Sequence, residues 1–179
     1  MQFLLCVVVL LLVAAHVQHL LRPPRDTTVI QTRPDTFSAD LLLEKQPIVV
    51  DGIPDDDPTK TVYSLLRYMY VCASSGSGSG SSSSGAGESK HIADAAYTAL
   101  WPAAGGGSTT VHVVHPRFAK VNRRVVELTG AFVEVRLRPG QVLILPFQST
   151  YRAMRPVSAL RFWDVGHALA LAARRTLDV

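Results

Sequence analysis

The sequence predicts a mainly β, α+β domain with flanking helices, preceded by one N-terminal transmembrane helix. Three stretches carry that expectation: the hairpin-like Ala131 to Tyr151 (AFVEVRLRPGQVLILPFQSTY), the β-branched Thr109 to Val114 (TTVHVV) and the apolar run from Phe3 to Ala15. In the first, Val133, Val135 and Leu137 alternate with Glu134, Arg136 and Arg138. A period of two with one apolar and one charged face is that of a half-buried strand. Pro139-Gly140 supplies a preset φ followed by a residue free to take φ > 0, as a type II turn requires. Gln141 to Leu145 (QVLIL) is more uniformly apolar, which predicts a strand buried on both faces, and Pro146 ends its ladder by lacking an N–H.

A chain of 179 residues has room for one core of ordinary size, so a single domain rather than a two-domain enzyme is expected. A net charge of +4 favours acidic partners or anionic lipid, and is too small to be a nucleic-acid footprint. Cys6 lies in the apolar leader, which leaves Cys72 without a partner for a domain-stapling bridge.

The leader continues past Ala15 to Leu21, interrupted by His16, Gln18 and His19. About nineteen helical residues span roughly 28 Å, close to the hydrocarbon thickness of a bilayer. Arg22 and Arg25 follow the run and no Lys or Arg precedes it, a charge step that keeps the C-terminal side in the cytosol. The expectation is a single-pass anchor over residues 1–21 with a cytosolic C-terminal domain. The alternative is a signal peptide cleaved after Val13-Ala14-Ala15, leaving a secreted protein. The only asparagine, Asn122, is followed by Arg-Arg, so no glycosylation acceptor argues for the lumen.

Residues 22–33, with Pro23 and Pro24 and no apolar period, read as a stalk, and the domain is expected to occupy 34–179. Asp35 or Thr36 can cap a short helix over Phe37 to Lys45, and Ile48-Val49-Val50 is a buried strand after Pro47. Asp55, Asp56 and Asp57 lack the alternating ligands of a calcium loop and suit N-capping of a helix from Thr59 to Cys72. Residues 73–89 are almost wholly Ser and Gly and cannot offset their ordering entropy, so a flexible insert is expected. Lys90 to Leu100 reads as a surface helix. Val125 to Leu128 and Ala159 to Trp163 read as strands, and Asp164 to Arg175 as a terminal helix.

The stretches "FSADLLLEKQPIVVDGI" and "VEVRLRPGQVLILP" resemble the opening and the closing hairpin of cupin-like, jumonji-type proteins. The chain is also similar to membrane-anchored cupin-like proteins of large DNA viruses of algae and protists. The resemblance covers roughly a third of the sequence, over Phe37 to Gly52 and Val111 to Tyr151. It implies a double-stranded β-helix. In catalytic members it also implies Fe(II) and 2-oxoglutarate, with iron held by a His-x-Asp/Glu pair and a later His. That later His falls on Tyr151, and a phenol with a pKa near ~10 is a poor substitute for an imidazole.

The expected function is therefore a non-catalytic, membrane-tethered binding or structural module without cofactor, with His112 and Tyr151 as candidates to line its cavity. The alternative is an active Fe(II)/2-oxoglutarate-dependent hydroxylase with displaced ligands drawn from His112, His115 and Asp94. Those side chains are badly spaced for it, since His112 and His115 face opposite sides of one strand. Arg117, Lys120, Arg123 and Arg124 form a basic excursion suited to anionic lipid, where each cation near the surface contributes about 1 kcal/mol.

Overall fold

The structure is a computed structural model, and it describes residues 2–21, 28–54, 57–66, 72–78, 91–93, 95–105, 107–114, 132–147 and 149–164. It is mainly β, with two sheets. The strands are β1 (Ile30–Thr32), β2 (Ile48–Asp51), β3 (Cys72–Gly78), β4 (His91–Ile92), β5 (Tyr97–Pro102), β6 (Thr109–Val114), β7 (Phe132–Leu137), β8 (Gln141–Pro146), β9 (Thr150–Ala153) and β10 (Val157–Trp163). Helices α1 (Gln2–Leu21), α2 (Ala39–Leu43) and α3 (Pro58–Leu66) complete the described elements.

One sheet has the order β1-β2-β8-β5-β10-β3 and the other the order β4-β9-β6-β7. The antiparallel pairs are nested: β6 with β7, β5 with β8, β4 with β9 and β3 with β10. A long hairpin folded back over itself has this pairing. Two further pairs, β10 with β5 and β6 with β9, join successive layers within each sheet.

The hairpin forms as its sequence requires. Arg138 O accepts from Gln141 N at 3.1 Å and Gly140 has φ +79°, the geometry of a type II turn. The Gln141 side chain accepts from Arg138 N at 2.8 Å and donates to the Asp51 carboxylate on β2. Val135 and Leu137 are buried while Glu134 and Arg136 are exposed. β8 lies between β2 and β5. Its Leu143 and Leu145 enter a core made by both sheets, with Val49, Leu100, Val111, Val113, Val135 and Leu137. Its Val142 and Ile144 enter a second core on the other face, covered by Leu42 of α2 and Val62 and Leu66 of α3.

Several expected elements differ. Lys90 to Leu100 is not a helix. It contributes β4 and the start of β5, because Tyr97 and Ala99 are needed in one core and Leu100 in the other, and only a strand alternates in that way. The expected stalk contains β1, paired in parallel with β2, so the domain begins before Pro34. Cys72 to Gly78, expected as the end of a helix and the start of a flexible insert, is edge strand β3. Its backbone completes the ladder of β10, and an edge strand needs no apolar alternation. The cap of α2 is Ser38 rather than Asp35 or Thr36, and Ser38 makes no side-chain cap bond. Asp57 does cap α3, its Oδ1 accepting from Lys60 N at 3.1 Å. The end expected for α3 beyond Leu66, the strand Val125 to Leu128, the basic excursion and the terminal helix after Asp164 lie outside the described residues.

Between Leu5 and Val13, helix α1 has apolar side chains exposed, from 36% at Val7 to 68% at Leu10. Among the described residues, no helix is long and apolar enough to cross a membrane. The contiguous described side chains of α1 run only from Leu5 to His16, about 18 Å of helix.

Tyr97 ties the helical layer to the sheet: its hydroxyl donates to Leu42 O at 2.9 Å in the buried core. Burial, and secondarily the Asp164 carboxylate, push its pKa up to about 12. The folded state thus favours the neutral phenol. Folding stability is unaffected by this group below pH ~10 and falls as pH rises from about 10 towards 12. Chemical denaturation of Tyr97→Phe should show a loss of about 1 kcal/mol at neutral pH and a shallower alkaline decline. Gly140→Ala should cost about 1–2 kcal/mol in the same measurement, since φ +79° is strained for any residue with a Cβ.

Candidate functional site

Two parts of the β domain bear on a site: a groove, and the end of the inter-sheet core that holds Tyr151. On the helix-covered face, a groove of about 530 Å³ lies beside Trp101, Pro139 and Val142. Its described lining is uncharged and contains neither His112 nor Tyr151. The other end is where β8 leaves its sheet and β9 enters the opposite one. Ser149 N donates to Pro146 O at 3.2 Å, and Ala93 N donates to Ser149 O at 2.8 Å. These bonds fix the exit of β4 against the start of β9.

Tyr151 lies at this end. It is 5% exposed and belongs to the inter-sheet core, as does Ala93. Its register partners are Val113 on β6 and His91 on β4. The backbone thus aligns His91 with Tyr151 across adjacent strands, and the residue two beyond His91 is Ala93, a methyl group. Ala93 stands where a His-x-Asp/Glu pair beginning at His91 would carry its acid. Asp94 and His115 lie outside the described residues.

His112 sits on the other face of the same sheet. Its partners are Arg152 on β9 and Glu134 on β7, and its neighbours Val111 and Val113 are the residues that enter the inter-sheet core. The imidazole packs on Phe132, with ring centroids 4.5 Å apart and planes tilted by 31°. Its Nδ1 is buried without a hydrogen-bond partner. The expectation that His112 and Tyr151 line one cavity therefore meets a register that puts them on opposite faces. One residue of offset suffices, because side chains alternate along a strand.

Two residues that sequence reasoning passed over reach the Tyr151 end. On β10, Val157 and Ala159 belong to the inter-sheet core, whereas Leu160 and Phe162 belong to the helix-covered core. Arg161 therefore falls on the inter-sheet side. Its partner on β5 is Thr98, on the same side by the same alternation. The signal was present as Arg161 between Leu160 and Phe162, in a strand whose other polar side chain is Ser158.

Among the described residues, no group of three or more His, Cys, Asp or Glu is placed to hold a metal ion. The described inward groups at this end are the Ala93 methyl, the Thr98 hydroxyl, the Leu145 side chain, the Tyr151 phenol and the Arg161 guanidinium. The register also places His91 beside Tyr151, and one imidazole position with no carboxylate among the described groups does not make up the set that Fe(II) takes. Compared with known protein families and with curated proteins, the chain matches no family model and no curated relative.

Tyr151→Ala should destabilise the domain by about 3–5 kcal/mol in chemical denaturation, since it empties a buried aromatic volume. His112→Phe, on the opposite face, should cost far less or be stabilising, because it removes a buried imidazole nitrogen that has no partner.

Proposed function

We propose that the chain is a membrane-tethered double-stranded β-helix of jumonji-like type that binds or scaffolds rather than catalyses, without an Fe(II) centre. The observation that carries the reading is the pairing of His91 with Tyr151 beside Ala93. A phenol and a methyl group stand at two of the three positions where the resemblance places metal ligands. The nested pairing, with β3-β10-β5-β8 in one sheet facing β4-β9-β6-β7 in the other, supports the β-helix. In that reading β1 and β2 extend one sheet, and α2 and α3 cover its outer face.

The tether rests on α1 and on the charges that follow it. A helix whose described apolar side chains, Leu5 to Val13, are exposed belongs in hydrocarbon. Twenty residues give about 30 Å, the thickness of a bilayer core. Arg22 and Arg25 keep the domain on the cytosolic side, where Arg117, Lys120, Arg123 and Arg124 can meet anionic headgroups.

Two measurements on the full chain test this. After anaerobic incubation with Fe(II), elemental analysis should find far less than one iron per chain, and no 2-oxoglutarate should be consumed. Stoichiometric iron with turnover would overturn the non-catalytic reading. In cells, the chain should resist carbonate extraction and keep its original N-terminus. A mature chain starting after Ala15 would identify a cleaved leader.

A further inference from the structure

We propose that the groove beside Trp101 binds a phosphate monoester that carries a flat ring, with the ring on Trp101 and the phosphate between Arg136 and Arg155. Gln141 lines this groove at the start of β8, whereas the Tyr151 end lies beside Pro146 at the finish of the same strand, about 17 Å away. The inference is independent of what the Tyr151 end does.

Two cations that meet on one residue mark the phosphate position. Arg136 of β7 donates from Nη2 to the Ser108 hydroxyl at 3.4 Å, and Arg155, which follows β9, donates from Nη1 to the Ser108 carbonyl at 3.4 Å. Both bonds are long, and both arginines are exposed, so either guanidinium can turn to a better acceptor. Among the described residues neither is in an ion pair: Glu134, on the same face of β7 as Arg136, makes none with it, and Asp51 accepts from the Gln141 amide instead. Like charges brought to one serine repel each other until an anion lies between them.

The groove runs up to these cations. Gly107 is part of its lining, and a Cβ built there would meet Arg155 Nη1 at 3.8 Å. Gly105, which also lines it, has φ +75° and open space where a side chain would stand. Backbone bare of side chains lets a phosphate approach main-chain N–H groups closely.

The rest of the lining selects the ring. Trp101, Pro102, Pro139 and Val142 carry no charge, and the volume of about 530 Å³ falls within the ~300–1,000 Å³ of small-molecule sites. Trp101 is half-buried: it packs on the helix-covered core and still borders the groove, where an indole offers a planar ring a stacking surface. Two guanidinium groups suit the dianion of a phosphate monoester better than a carboxylate.

The test uses the full chain in detergent, with AMP as the probe and adenosine and inorganic phosphate as its two halves, titrated by calorimetry and tryptophan fluorescence. AMP should bind and quench, with adenosine and phosphate at least tenfold weaker. Arg136→Gln combined with Arg155→Gln should weaken AMP at least tenfold at unchanged Tm, because both residues are exposed and outside any described ion pair. Quenching should survive Trp163→Phe and largely disappear in Trp101→Phe. No AMP binding at millimolar concentration, AMP affinity unchanged in the double arginine variant, or phosphate bound as tightly as AMP would each overturn the assignment. So would phosphatidic acid vesicles bound through the same two arginines in preference to AMP, which would give the cations to a lipid headgroup and leave the groove without a ring.

Discussion

The fold depends on β8 being apolar on both faces. Gln141 to Pro146 sits between β2 and β5, and its alternate side chains form parts of two different cores. Leu143 and Leu145 hold the two sheets together, while Val142 and Ile144 anchor the helices. A strand with one polar face could do only one of these tasks. Pinning at both ends sets the register of this strand: the Arg138–Gln141 turn starts it, and the Gln141 bond to Asp51 locks it to β2. Each partner strand then inherits its parity from β8, β5 through Leu100 opposite Leu143 and β2 through Val49 opposite Leu143.

Elements whose periodicity is unambiguous were legible in the sequence. The hairpin around Pro139-Gly140, β2, β6, α3 and β10 follow from alternation, turn chemistry and capping, because in each the local preference agrees with the demand of the core. The failures fall where the two disagree. Ala93, Ala95, Ala96, Tyr97 and Ala99 suggest helix by alanine content, yet these residues are buried where the sandwich needs thin side chains and an extended backbone. Ser and Gly in 72–78 suggest a loop, yet pairing with β10 requires only backbone donors and acceptors. Tertiary pairing overrides propensity in both.

The site was legible in part. Tyr151 could be placed from the length of the segment after Pro146, and it is found at the end of the core where β4 and β9 meet. His112 could not be assigned to a face, because TTVHVV is β-branched on both sides and either parity satisfies a buried strand. The structure resolves it through neighbours: Val111 and Val113 are among the fully buried contacts between sheets, so His112 must point away from them. Arg161 had the opposite problem. A lone cation in an apolar strand reads as a solvated edge until the strand is known to be covered on both sides.

Parity therefore carries the functional information in this fold. β10 has β3 and β5 on either side, so neither of its edges is free, and an arginine there is not a charge on an open edge. It stands on the wall that Thr98 and Ala159 share, facing the sheet that presents Tyr151. On that opposite sheet His112 is turned outward by its register with Glu134 and Arg152. A cation, a hydroxyl and a phenol at this end are the polar part of an otherwise aliphatic core.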